Sequence, residues 1–167
     1  MEVVYIPRKL VREAEKRGIK IHDFIIKILA NKLKLDPHDV ATIRLELAEK
    51  FLREAKECIE RDDAVQASEK LYKVAEECIK ALAIKFNLPE AQEAYKVGGW
   101  WLKLLSRAAK TLSSKLNEPA INRGWCVAYD LHVWGFHEAS LTVDHIKVSL
   151  VDIEQLFQKT CKLILNR

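Results

Sequence analysis

The sequence predicts an all-α fold: an antiparallel up-and-down bundle of four to five helices carrying a short N-terminal strand-helix-helix arm. Three observations predict it. Only five Gly and four Pro occur in 167 residues, too few for a turn-rich chain. Apolar residues recur at alternating steps of three and four over long stretches, the spacing that lines one face of a helix. No strand signal occurs after residue 7. With 49% hydrophobic and 31% charged residues the composition excludes a disordered or collagen-like chain. A chain of this length buries about two-thirds of its unfolded surface, enough for a core without staples.

The arm, residues 1–35, opens on Val3-Val4-Tyr5-Ile6, a β-branched and aromatic run ended by Pro7. Pro7 suits the start of a helix, where its missing N–H has no partner to lose. Leu10, Val11 and Ala14 give that helix a stripe, and Arg17-Gly18 stops it. Asp23 can cap a second helix with Phe24, Ile25, Ile28, Leu29 and Leu33 on its apolar face.

The bundle occupies residues 36–167. Asp36-Pro37 is a cap followed by proline at the first helical position, so a helix runs from there to about Arg61. Leu45, Ala48, Leu52, Ala55 and Ile59 share its inner face. Asp62-Asp63 makes a tight turn into a second helix, from Ala64 to Phe86, and so short a connection forces antiparallel packing. A third helix begins near Glu90, is kinked by Gly98-Gly99, and ends around Asn117 before Pro119, with Trp101, Leu105, Ala108, Leu112 and Leu116 buried. A fourth covers Ala120 to Ser140 and a fifth Val143 to Leu165.

Charge is uneven. Residues 1–40 carry nine basic and six acidic side chains, residues 41–95 nine and twelve, and residues 96–167 ten and six, so a net +4 combines +3, −3 and +4. Cys58, Cys78, Cys126 and Cys161 form no Cys-x-x-Cys pair, which excludes a zinc ribbon or a thioredoxin-type motif and reads as buried thiols. Cys58 and Cys78 stand at unequal distances from the turn and miss each other by roughly 15 Å, too far for a disulfide. No apolar run reaches the roughly 18 residues of a membrane span, and the N-terminus has no signal-peptide pattern, so a cytoplasmic protein is expected.

Three separated segments carry a family likeness: Leu47-Ala48-Glu49-Lys50-Phe51-Leu52-Arg53-Glu54-Ala55-Lys56, the run from Asp63 to Glu77, and Leu131-His132-Val133-Trp134-Gly135-Phe136-His137-Glu138. Over about residues 36–165 the chain resembles the archaeal PaREP repeat family, itself similar to the HEPN superfamily of helical bundles. The resemblance implies an archaeal source, an antiparallel bundle and a homodimer. Nuclease members of that superfamily use an arginine and, four to six residues later, a histidine. Here Arg123 and His132 have eight residues between them, a departure that places them on opposite sides of a continuous helix.

The clearest ligand signal lies in Lys96, Trp100, Lys103, Arg107 and Lys110, spaced to share one helical face with no carboxylate among them. Such a face meets phosphates while Trp100 stacks on a base. Neither the Cys126/Asp130/His137 row nor His137-Glu138 has metal-ligand spacing, so no metal site is expected, and no cofactor motif occurs. The arm is similar to ribbon-helix-helix DNA-binding proteins, but Val3 and Tyr5, its outward strand pair, cannot make bidentate base contacts. The leading expectation is a non-catalytic, dimeric binding module for RNA, a nucleotide or another polyanion. The alternatives are an RNA endonuclease using Arg123 and His132, and a protein-only partner such as a nucleotidyltransferase-associated subunit.

Overall fold

The computed structural model describes residues 4–165. Among them are eight α-helices, one π-helical segment and no strand: α1 (Arg8–Lys16), α2 (Ile21–Leu33), α3 (Pro37–Glu60), α4 (Ala64–Lys85), α5 (Pro89–Lys96), α6 (Leu102–Lys115), α7 (Pro119–Asp130), the π segment (Leu131–His137) and α8 (Val143–Leu165). None is long and apolar enough to cross a membrane.

Cap chemistry or proline marks four helix starts, those of α3, α4, α5 and α7. Asp36 accepts from Asp39 N–H at 2.8 Å, and Asp63 accepts from Gln66 N–H at 3.0 Å. Proline opens α3, α5 and α7, where no N–H is needed. Between α3 and α4, Asp62 takes φ 57° and Asp63 N–H returns to Cys58 O at 2.9 Å, a reversal that fixes the two helices antiparallel. α4 is the centre of the molecule. It packs against α3, α5, α6, α7, the π segment and α8, and Leu71, Val74, Ala75, Cys78, Ile79 and Leu82 are fully buried.

Several expectations need correction. Val4, Tyr5 and Ile6 are not a strand, and Val3 lies outside the described residues. Val4 and Tyr5 stand exposed with no neighbouring strand to complete a ladder. The third expected helix is two helices, since Gly98 at φ 80° breaks the chain between α5 and α6. That break exchanges two neighbours: Trp100 is buried and Trp101 half exposed, the reverse of the expected stripe. The bundle therefore uses six helices and a π segment where four to five helices are expected. The fourth helix ends as α7 at Asp130 and continues as the π segment.

α2 starts two residues before the expected cap, and its apolar row faces outward. Phe24, Ile25, Ile28, Leu29 and Leu33 are all exposed. Asp23 instead points into the protein and fixes the rotation of the helix through ion pairs. Of the cysteines, Cys58 and Cys78 are buried as expected, whereas Cys126 is exposed and Cys161 intermediate.

Candidate functional site

Five charged side chains are buried where α2, α3 and α4 meet: Asp23, Arg44, Glu76, Glu77 and Lys80. Arg44 Nη1 donates to Asp23 at 2.6 Å and to Glu77 at 2.8 Å. Lys80 Nζ donates to both Asp23 oxygens at 3.0 Å and to Glu77 at 2.9 Å, and pairs with Glu76 at 3.0 Å. Lys20 and Lys73 reach Glu76 from the solvent side at 2.9 and 2.7 Å. Burial alone would push the Asp23 and Glu76 carboxyls upward. The surrounding cations outweigh it, Lys80 and Arg44 at Asp23 and Lys80, Lys73 and Lys20 at Glu76, and hold both below the usual carboxylate range. For Lys80, burial is likewise overcome, by Glu77, Glu76 and Asp23, which raise it.

Beside this network a cavity of about 480 Å³ opens between α2, the start of α3, and the α5–α6 link. Its wall is mainly apolar, with Phe24, Val40, Ile84, Tyr95 and Trp100, and its polar groups are Asp23, Lys27, Asn31 and Arg44. At one side Lys27 and Asn31 clasp Tyr95: Lys27 donates to Tyr95 O at 3.1 Å with Nζ 4.1 Å from the ring centre, and Asn31 donates to Tyr95 OH. Gly98 and Gly99 line it too, and a Cβ at either would meet nothing within 4 Å. Arg44 is 4% exposed, and its Nε has no hydrogen-bond partner. A buried donor left unpartnered carries a desolvation cost that an acceptor reaching it would relieve.

A second polar cluster lies on the far part of α4. His132 Nδ1 is 3.2 Å from Glu69 Oε2, and its ring stacks on Tyr72 with centroids 4.1 Å apart. Burial, with Glu76 and Glu69 nearby, pushes the Tyr72 hydroxyl up, so it stays protonated beneath the imidazole. His137 Nε2 is 3.1 Å from His132 Nε2.

The structure distributes the sequence-predicted residues differently. Lys96 ends α5, Lys103, Arg107 and Lys110 are exposed on α6, and Trp100 sits in the link, 6% exposed. They do not share one continuous helical face, because the helix that would carry it is broken. Arg107 is neutralised by Glu93 on α5 at 3.1 Å. Arg123 donates to Asp152 at 2.7 Å and to Gln155 at 2.5 Å, both on α8, while His132 faces α4. Within one chain these two serve different partners. The buried network is absent from the sequence expectations, yet α4 carried a signal for it. Apolar residues surround Glu76, Glu77 and Lys80 on every side of the helix, so charges there cannot all reach water.

The archaeal PaREP1/PaREP8 family matches residues 43–157. This chain belongs to that family. The matched segment runs from within α3 to within α8, so it contains Arg44, Lys80, Trp100, His132 and His137 and leaves Asp23 and the α2 wall of the cavity outside it. A crystal structure of a protein from Sulfolobus solfataricus is similar, with 39% identity over 70% of this chain and 94% of that one, at a TM-score of 0.62. A solution structure of the same structural-genomics target has 38% identity over 70% of this chain and 89% of that one, also at 0.62. A comparison with curated proteins yields no match.

Proposed function

We propose that this PaREP1/PaREP8 protein is a non-catalytic binding module, and that its ligand is a nucleotide-sized anion held in the cavity between α2 and the α5–α6 link. One observation carries the reading. Trp100, the aromatic side chain that the sequence offers for base stacking, lines a cavity whose lining also includes Arg44, a residue whose buried Nε has no hydrogen-bond partner. The volume of about 480 Å³ falls within the usual range for small-molecule sites. Arg44 and Asp23 neutralise each other within the buried network, so Lys27 is the wall cation that favours an anionic group on the ligand. Lys96 and Lys103 flank the wall residues Gly98 to Trp100 in the chain and extend the positive field outward.

A homodimer and a HEPN-like architecture belong to the same proposal. The exposed row Phe24, Ile25, Ile28 and Leu29 supports the first, because contiguous apolar surface of that kind marks association sites. The long antiparallel α3–α4 pair supports the second. Titration calorimetry with ATP, GTP and AMP tests the ligand reading. Ala30→Phe, which fills the cavity from α2, abolishes binding if the reading is right, and unchanged binding refutes it.

RNA cleavage is a second reading, favoured by the Glu69 carboxylate that orients His132 as a base. Because Arg123 faces α8, this reading requires a second copy to bring the two groups together. Loss of RNA cleavage in both His132→Ala and Arg123→Ala would support it, and intact RNA with the wild type would end it.

A further inference from the structure

The π segment changes which side chains meet. In an α-helix, residues five apart point about 140° away from each other; in a π-helix, with its i to i+5 bonding, the offset shrinks to about 50°. Glu138 N–H donates five residues back to Val133 O at 2.9 Å, and His132 and His137, also five apart, converge. Gly135 lets the segment sit this close to α4: a Cβ there would lie 2.1 Å from Ser68 Oγ and 2.6 Å from Ser68 Cβ. The histidine pair therefore depends on a close backbone approach that no other residue type permits.

The pair has the geometry of two metal ligands. Two nitrogens bound to one tetrahedral zinc at about 2.0–2.1 Å are about 3.3 Å apart; the His132 and His137 Nε2 atoms are 3.1 Å apart. The other nitrogen of His132 is turned to Glu69, which is how a carboxylate orients a ligating imidazole. Tyr72 stacks on the His132 ring and fixes its plane. His137 is exposed, so an ion can enter from solvent.

We propose that His132 and His137 bind a divalent transition cation of the zinc class through their Nε2 atoms, with Glu69 as the outer-sphere acceptor that orients His132. Among the described residues no third histidine, cysteine or carboxylate joins them. Two protein ligands are one fewer than a catalytic zinc site carries, so the remaining positions are left to water or to an exogenous ligand and the ion is held exchangeably. The site stands apart from the α2 cavity and does not depend on the reading given to it.

The test is titration of the untagged full-length protein with Zn²⁺, read by calorimetry and by imidazole ¹⁵N resonances. One ion binds per chain, and both Nε2 resonances shift together. His137→Ala, at an exposed position that leaves the fold intact, and His132→Ala each abolish this binding, and Glu69→Ala weakens it by about 10–100-fold. Gly135→Ala, with circular dichroism as a check on folding, weakens it as well. Absence of Zn²⁺ binding by the wild type overturns the proposal, as does binding that survives His137→Ala, which would place the ion at another group such as the exposed Cys126.

Discussion

Replacing Lys80 by methionine keeps most of the volume of the stem and removes one cation from the buried network. Lys80 is 2% exposed, and its ammonium lies 2.9–3.0 Å from oxygens of Asp23, Glu76 and Glu77. In Lys80→Met, Arg44 is the one cation left among the buried described residues beside three carboxylates, and of those three Lys20 and Lys73 reach only Glu76. Removing one partner of a buried pair costs about 3–5 kcal/mol, since the stranded charge cannot recover its hydration. For a domain of this size each kcal/mol shifts Tm by about 2–4 °C, so Tm falls by roughly 6–20 °C. Urea unfolding at pH 7, followed by circular dichroism, measures the loss directly. Adding Asp23→Asn removes one stranded anion, so the double variant loses less than the two single losses combined. A Lys80→Met loss below about 1 kcal/mol, the scale of a surface pair, or strictly additive losses would refute the account of this network.

Acid should weaken the fold through the same groups. Asp23 and Glu76 are held below their unfolded values, so their contribution is complete above about pH 4.5 and is lost as pH falls through the folded values; urea midpoints at pH 7, 5, 4 and 3 should stay level to about pH 5 and then decline. Lys80 is raised, so its contribution is complete below about pH 10.4 and is lost only in stronger base. Gly124→Ala should destabilise by about 1–3 kcal/mol, because its Cβ would lie 2.7 Å from Leu156 Cβ where α7 crosses α8; differential scanning calorimetry reads the change. Neutralising Lys103, Arg107 and Lys110 together should reduce the salt dependence of any RNA retention in a mobility-shift series, and an unchanged series would remove α6 from the binding surface. Leu29→Lys, on the outward row of α2, should convert the proposed dimer to a monomer in sedimentation equilibrium, and a wild type already monomeric would remove that proposal.

The helices of the bundle were legible wherever periodicity and caps agreed. α3, α4 and α8 fall where the apolar spacing puts them, and Asp36-Pro37 stands at the start it signals. The breaks were not legible. Gly98-Gly99 reads as a kink in sequence, but the φ of 80° at Gly98 makes it a full break, and that break decides which of Trp100 and Trp101 is inside. Helical periodicity assumes about 100° per residue, so it cannot foresee a π segment, and the His132–His137 pair was invisible for that reason. The α2 surface failed for a different cause. Its apolar row looked like the buried face, but the ion pairs of Asp23 fix the helix in another rotation. Tertiary electrostatics of this kind leaves no local pattern except on α4, where charges interrupt an otherwise apolar surface.

The central claim, that the cavity beside Arg44 and Trp100 is a ligand site, is tested most directly by thermal stabilisation with a mononucleotide in wild type and Ala30→Phe. At a ligand concentration of about 100 times Kd, binding to the native state alone contributes about 2.7 kcal/mol, or roughly 5–11 °C in Tm. The account predicts that shift for the wild type and none for Ala30→Phe. Equal shifts in the two proteins, or no shift with any mononucleotide tried, would contradict it.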